Sequence, residues 1–313
     1  MQSALVTGGA GFVGSHLCDR LIKEGYKVIC LDNLLTGSKK NIEHLVGSPN
    51  FEFIEADVTE PLNIKDRPLD YIFHLASPAS PIDYQNYPEE TFLANSTGTL
   101  NVLKLAKETG AKMLLASTSE VYGDPLEHPQ KETYFGNVNT FGPRSCYDES
   151  KRFAETATYI YIRKYDIDAR IIRIFNTYGP RMQKDDGRVV SNFIMSSLAG
   201  TPLKIDGDGS QTRSFCYVDD LVEGITKAMF TESTRGEIFN LGNPDEFTIK
   251  DLAEIVKRLT DTRSQSLFSG EFRVNDPMRR QPDISKAKAK LGWEPKVDLE
   301  EGLGKTIEYY KNN

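Results

Sequence analysis

Four cysteines, four histidines and a single tryptophan in 313 residues leave little material for a disulfide frame or a structural metal. Cys18, Cys30, Cys146 and Cys216 have no C-x-x-C spacing and fall in segments that read as helix, strand or strand end, so reduced packing residues are expected. His16, His44, His74 and His128 are equally dispersed, with no i,i+4 pair and no carboxylate cluster beside them, and no metal site is expected. A run of roughly 18 apolar residues, the length that spans a bilayer, is also missing. Mean hydropathy is -0.44, and no membrane partner is expected. Positive charge is not in excess either: Lys and Arg total 38 against 45 Asp and Glu, a formal net charge of -7, with no block of like charge. That argues against nucleic acid as a partner, although a few converging arginines can hold an anionic small molecule at any net charge. The opening Met-Gln-Ser-Ala-Leu-Val-Thr has no basic segment, apolar stretch or cleavage site ahead of the first strand, so a cytoplasmic location is expected.

What is present is 39% hydrophobic and 27% charged residues, enough to bury one large domain or two smaller ones. Ala4-Leu5-Val6 reads as a short buried strand, Gly8 to Gly14 as a glycine loop and Ser15 to Lys23 as an amphipathic helix stopped by Gly25. Lys27 to Leu31 follows as a second strand ending at Asp32, which completes a βαβ unit. Further strands are expected at Phe51–Ala56, Tyr71–Ala76, Met113–Ser117, Ala169–Phe175 and Gly236–Leu241. Helices are expected at Asn41–Val46, Thr91–Thr109, Tyr147–Lys164, Ile249–Thr260 and Leu299–Lys311. Asp206 to Ser210 reads as a tight turn between short strands, and Pro180 to Gly187 as a polar loop. The alternation predicts an α/β fold, a doubly wound parallel sheet (Rossmann-like) with a smaller C-terminal substrate-binding lobe. The expected division is 1–176 with 215–242 for the sheet domain and 177–214 with 243–313 for the lobe.

Thr7 to Gly14 follows a strand and opens a helix, the context that a dinucleotide fingerprint needs. Gly8 permits the turn, Gly11 lets backbone approach a pyrophosphate, and Gly14 lets helix pack on strand, with Phe12 and Val13 between them in the loop and the N-terminus of the following helix facing the phosphates. Asp32, about twenty residues on, accepts hydrogen bonds from ribose hydroxyls and repels a 2′-phosphate, which favours NAD over NADP. The G-x-x-G-x-x-G spacing is the variant of short-chain dehydrogenase relatives. Asn33, Asp57, Val58, Leu75, Ala76, Ser77 and Asn95 occupy expected strand ends and flanks where adenine and ribose would sit. Tyr147 and Lys151 stand at i and i+4, so on a helix they share a face. An ammonium beside a phenol lowers its pKa, as would the positive ring of an oxidised nicotinamide, and a phenol so tuned can take a proton from a sugar hydroxyl.

With these motifs the sequence resembles the extended short-chain dehydrogenase/reductase superfamily, the nucleotide-sugar epimerases, dehydratases and decarboxylases, over essentially its whole length. The segments His74 to Pro81, Ser117 to Pro125, Gly142 to Glu149, Asp186 to Phe193 and Arg279 to Asp283, with Tyr84 and Pro88, resemble its UDP-glucuronate decarboxylases in particular. Ser150 departs from that pattern, which has glycine before the lysine. The resemblance implies an NAD-dependent conversion of UDP-glucuronate to UDP-xylose. Tyr147, Lys151 and Thr118 would act at C4, Glu120 and Arg280 near C5, and Ser119 in support. Whether C5 is reprotonated by water or by a side chain stays open. For the UDP-sugar the resemblance offers Asn176, Arg188, Asn192, Lys204, Arg213, Tyr217 and Arg279, with Arg144 in a matching segment, while Pro81 and Tyr84 line the sugar pocket. It also implies a homodimer built on the helices at Thr91–Thr109 and Tyr147–Lys164. Leu100, Leu103 and Ala106 suit that bundle or packing on the sheet. A UDP-glucuronate 4-epimerase and a catalytically silent NAD-binding sensor are the alternatives; carbon dioxide release separates the first, and an intact Thr118, Tyr147 and Lys151 counts against the second.

Overall fold

The computed structural model describes residues 1–64, 67–271 and 279–313. The chain runs β1 (Ser3–Thr7), α1 (Phe12–Lys23), β2 (Lys27–Asp32), β3 (Phe51–Glu55), β4 (Tyr71–His74), α2 (Pro81–Asn86), α3 (Pro88–Leu93), α4 (Thr99–Thr109), β5 (Lys112–Thr118), α5 (Ser145–Tyr165) and β6 (Ala169–Ile174). It continues with β7 (Thr177–Tyr178), α6 (Val189–Leu198), β8 (Leu203–Ile205), β9 (Thr212–Ser214), β10 (Cys216–Tyr217), α7 (Val218–Phe230), β11 (Ile238–Leu241), β12 (Glu246–Thr248), α8 (Ile249–Thr260), β13 (Ser266–Phe268), α9 (Ser285–Leu291) and α10 (Leu299–Asn312).

The main sheet has seven parallel strands in the order β11-β6-β5-β4-β1-β2-β3. Its strands are apolar on both sides because both faces are covered. Ala4 and Val6 of β1 enter one core and Leu5 the other; in β5, Leu114 and Ala116 enter the first, and Met113 and Leu115 the second. Leu17 and Leu21 of α1 and Leu221 and Ile225 of α7 close the first face, while Val102 of α4 and Ala154 and Ala157 of α5 close the second. The first core runs on without a break into the C-terminal helices through Phe193 of α6, Leu252 of α8 and Leu303 of α10. Trp293 is buried there and donates its indole N–H to the Asp220 carbonyl, 2.9 Å away. No helix among the described residues is long and apolar enough to cross a membrane, and Cys18, Cys30, Cys146 and Cys216 are free thiols.

The structure departs from the sequence expectations where tertiary contacts decide local form. Asn41–Val46 is not a helix but part of two 3-10 turns, Lys39–Asn41 and Glu43–Leu45, because the Asn41 amide donates to the Ala10 carbonyl and Ile42 leaves helical geometry. The expected Thr91–Thr109 helix begins at Pro88 and contains a π turn, Ala94–Gly98, between α3 and α4. The strands flanking Asp206 to Ser210 form, yet they do not pair with each other: β8 pairs with β13 and β9 with β12. Leu103 and Ala106 are buried in the second core and Leu100 packs against it, so these three face the sheet. Helices α2, α6, α7 and α9 were not expected from the periodicity.

Candidate active site

The C-terminal ends of the parallel strands deliver the site. Gly8 follows β1 with φ of +72°, and a Cβ there would stand 2.8 Å from the Ala76 backbone. At Gly14 a Cβ would fall 2.1 Å from the Gly8 carbonyl oxygen, so only glycine lets α1 start this close to β1. Gly11 caps α1, whose first turn carries no acidic residue and therefore presents free N–H groups and a positive dipole end to the cleft. Asp32 ends β2 and accepts from the backbone N–H groups of Ala10 (3.0 Å) and Leu34 (2.8 Å). Those bonds fix the carboxylate at the cavity wall and leave each oxygen a further lone pair for a ribose hydroxyl. Burial raises the Asp32 pKa, opposed by the same backbone N–H groups. The donor set and the cradle cut by absent Cβ atoms both fit a dinucleotide.

The glycine loop opens into a cavity of about 430 Å³. Its walls include Gly8, Gly11, Phe12, Val13, Gly14, Asp32, Asn33, Asp57, Val58, Leu75, Ala76 and Ser77 on the dinucleotide side. On the other side stand Pro81, Tyr84, Thr118, Ser119, Glu120, Arg144, Tyr147, Lys151, Asn176, Arg188, Asn192, Lys204, Arg213 and Arg280. Three sequence candidates do not line it. Asn95 is buried in the π turn, where its amide donates to Ser150 Oγ at 3.0 Å. Tyr217 packs edge-on against Tyr178 behind the wall, and Arg279 is exposed. Sequence reading missed other lining residues, among them Thr36, Gln183 and Asp206. Gln183 could have been found only from the fold, since its amide reaches across to the Thr36 carbonyl at 2.7 Å.

Tyr147 and Lys151 are both buried on the inward face of α5. Lys151 Nζ donates to the Ala116 carbonyl at 2.9 Å and lies 5.8 Å from the centroid of the Tyr147 ring. The sequence reading expected the lysine to lower the phenol pKa; burial dominates instead. It raises Tyr147 to about 12 despite the Thr118 hydroxyl, and lowers Lys151 to about 7 despite Glu155. Desolvation disfavours the charged form of each. Tyr84 stacks on Tyr147 with centroids 5.1 Å apart and planes 10° from parallel.

Beside the phenol, Glu120 lies in the 3-10 turn Ser119–Tyr122 that follows β5, and its N–H donates to Thr118 Oγ1 at 3.2 Å. Two guanidinium groups converge on its carboxylate: Arg144, from the start of α5, and Arg280, whose Nη2 donates to Oε2 at 3.0 Å. Burial alone would raise the Glu120 pKa, but Arg144 and Arg280 outweigh it and hold it at about 2. A phenol, a hydroxyl and a lysine at one point of the cleft can move a proton at a carbinol, and the arginine pair next to them can hold a carboxylate.

A seven-stranded parallel sheet with a glycine loop after β1 and a Tyr-x-x-x-Lys pair on α5 defines a nucleotide-binding enzyme of the short-chain dehydrogenase type. The chain matches the model of the NAD dependent epimerase/dehydratase family over residues 4–242 and belongs to that family. It is 55% identical over 306 residues to UDP-glucuronic acid decarboxylase 1 of Danio rerio, covering 98% of this chain and 72% of that protein. It is 57% identical over 300 residues to UDP-glucuronic acid decarboxylase 6 of Arabidopsis thaliana, covering 96% of this chain and 86% of that one. Among solved structures it resembles a UDP-glucuronic acid 4-epimerase of Bacillus cereus in complex with UDP-glucuronic acid and NAD, with a TM-score of 0.90, 30% identity and 99% of both chains covered. It also resembles a UDP-glucose 4-epimerase of Thermotoga maritima with UDP-glucose, with a TM-score of 0.91, 34% identity and 99% of both chains covered.

Proposed function

We propose that the chain decarboxylates UDP-glucuronate to UDP-xylose through a transient 4-keto sugar, with NAD as its resident cofactor. The observation that carries this reading is the convergence of Arg144 and Arg280 on Glu120 beside Thr118 and Tyr147. Two arginines next to a proton-handling phenol suit a hexose whose C6 is a carboxylate. The decarboxylases among its relatives support the same substrate.

Thr118 and Tyr147 hold the C4 hydroxyl, and Tyr147 takes its proton. When bound, NAD supplies hydride acceptance from C4 and later hydride return, and its positive ring favours the phenolate. The C4 ketone is β to the carboxylate, so when the C5–C6 bond breaks and carbon dioxide leaves, the electron pair passes into an enolate. Tyr147 donates a hydrogen bond to the enolate oxygen. Glu120 and Arg280, with Ser119 behind them, order the region where C5 regains a proton, and Tyr147 returns its own proton to the C4 oxygen on reduction. Lys151, tied to Ala116, keeps the phenol in register. Gly8, Gly11, Gly14 and Asp32 hold the pyrophosphate and adenosine ribose of the dinucleotide, and Asn176, Arg188, Asn192, Lys204 and Arg213 hold the UDP group.

The division into 1–176 with 215–242 and 177–214 with 243–313 assigns NAD to the sheet domain and the nucleotide sugar to the lobe. A homodimer is supported by an open apolar face on α3 and α5, where Phe92, Phe153, Tyr159 and Ile160 are all exposed. Four free thiols accord with a reducing, cytoplasmic location. The test is to incubate the purified protein with UDP-glucuronate and NAD and weigh the nucleotide sugar by mass spectrometry. A product lighter by one carbon dioxide is expected. Unchanged mass with inverted C4 would establish a 4-epimerase instead, an outcome that the resemblance to the Bacillus cereus structure makes the relevant alternative.

A further inference from the structure

Asp148 follows Tyr147 on α5 and is only 6% exposed, yet its Oδ1 has no hydrogen-bond partner and its Oδ2 lies 3.8 Å from Arg144 Nε, beyond hydrogen-bond reach. Tyr84 Oη and Arg280 Nε are likewise buried without partners. All three stand around the Glu120 pair. A buried carboxylate with one bare oxygen and a single cation at 3.8 Å on the other is costly as an anion and much less so as a neutral acid.

Glu120 is held by Arg144 and Arg280 with Arg213 nearby, and Asp148 stands beside Arg144, so a substrate carboxylate entering between the guanidinium groups meets two carboxyl groups already buried there. Resting on the decarboxylase reading above, we propose that Asp148 is a positioning residue for the substrate carboxylate. It takes up a proton from solvent as the carboxylate enters, so that a charge on Asp148 does not oppose the incoming one.

The surroundings favour that proton. Burial, with the Glu120 charge, pushes the Asp148 carboxyl up to about 7, while Arg144 and Arg280 pull the other way. Tyr84 faces it from α2, Glu149, Cys146 and Tyr147 from its own helix, and α3, which packs on α5, brings only the exposed Glu89 and Glu90. A place in the first turn of α5 by itself favours the anion through the helix dipole. A second anion between the same arginines outweighs that contribution when substrate is bound.

The experiment uses the NAD-loaded enzyme, with Michaelis parameters for UDP-glucuronate and the inhibition constant of UDP-xylose, which lacks the carboxylate, from pH 6 to 9. In the parent, KM for UDP-glucuronate rises above pH 7, approaching about tenfold per pH unit, while the UDP-xylose constant stays level. In Asp148→Asn, which mimics the neutral acid, KM changes by less than about twofold over the same range. A level UDP-xylose constant in that variant shows that its site is folded. A flat KM in the parent, a rise that persists in Asp148→Asn, or an equal rise for UDP-xylose would each overturn the proposal. Failure of the parent to release carbon dioxide at any pH would overturn the functional reading itself.

Discussion

Glu120 and Arg280 are 160 positions apart in the chain, and Arg280 Nη2 donates to Glu120 Oε2 at 3.0 Å. The contact holds Arg280 over the end of β5, so one ion pair both shapes the cleft and charges it. Arg280 is 5% exposed on its side chain and Glu120 is 13% exposed.

Glu120→Ala leaves Arg280 buried against Arg144 with no anion between them. Removing one partner of a buried pair costs about 3–5 kcal/mol. Chemical denaturation should register a loss of that order, and carbon dioxide release should disappear.

The same carboxylate carries a pH signature. Its folded pKa, about 2, lies below the ordinary 4.5, so the folded state prefers the charged form. The stability it contributes is complete above about pH 4.5 and is lost as pH falls toward 2. Glu120→Gln should be less stable than the parent at pH 6 and should lose less on acidification from 4.5; parallel stability curves for the two proteins would contradict this.

Tyr147→Phe removes the phenol hydroxyl that faces the Thr118 hydroxyl and keeps the ring stacked on Tyr84. General acid–base contributions of this kind are worth about 10²–10⁴-fold. Turnover should fall by at least that factor, while NAD and UDP-xylose binding, measured by calorimetry, stay within a few-fold of the parent.

The Ser150 hydroxyl is built into the site's frame. It donates to the Cys146 carbonyl at 2.5 Å and accepts from Asn95 at 3.0 Å. Ser150→Gly strips the buried Asn95 amide of its acceptor and adds backbone freedom within α5, together about 2 kcal/mol. Thermal unfolding should show a melting temperature lowered by several degrees.

On β6, Arg173 pairs with Glu155 of α5 at 2.7 Å and donates to Tyr122 Oη at 2.9 Å. Ser117 Oγ donates to the same glutamate at 2.6 Å. Arg173→Met should cost about 3–5 kcal/mol in urea unfolding, because it leaves the Glu155 carboxylate without its cation in a place that water hardly reaches. A loss under about 1 kcal/mol, as expected of a surface pair, would show that water does reach it.

Local chemistry wrote much of this molecule directly into its sequence. The glycine loop, Asp32 at the end of β2 and the inward face of α5 follow from backbone sterics and helical period, which act between near neighbours and are legible residue by residue. The parallel sheet follows too, since strands alternating with helices admit few other closures. Tertiary structure decided what depends on distant partners. Asn41 gave up a helix for the Ala10 carbonyl, β8 and β9 turned from each other to β13 and β12, and Asn95 was drawn to Ser150 instead of to the cavity. The pKa values belong to the same class. Tyr147 and Lys151 read in sequence as a phenol acidified by an ammonium, but burial, which no spacing reports, raises one and lowers the other. Desolvation is a property of everything packed around a group, and it exists only once the chain has folded.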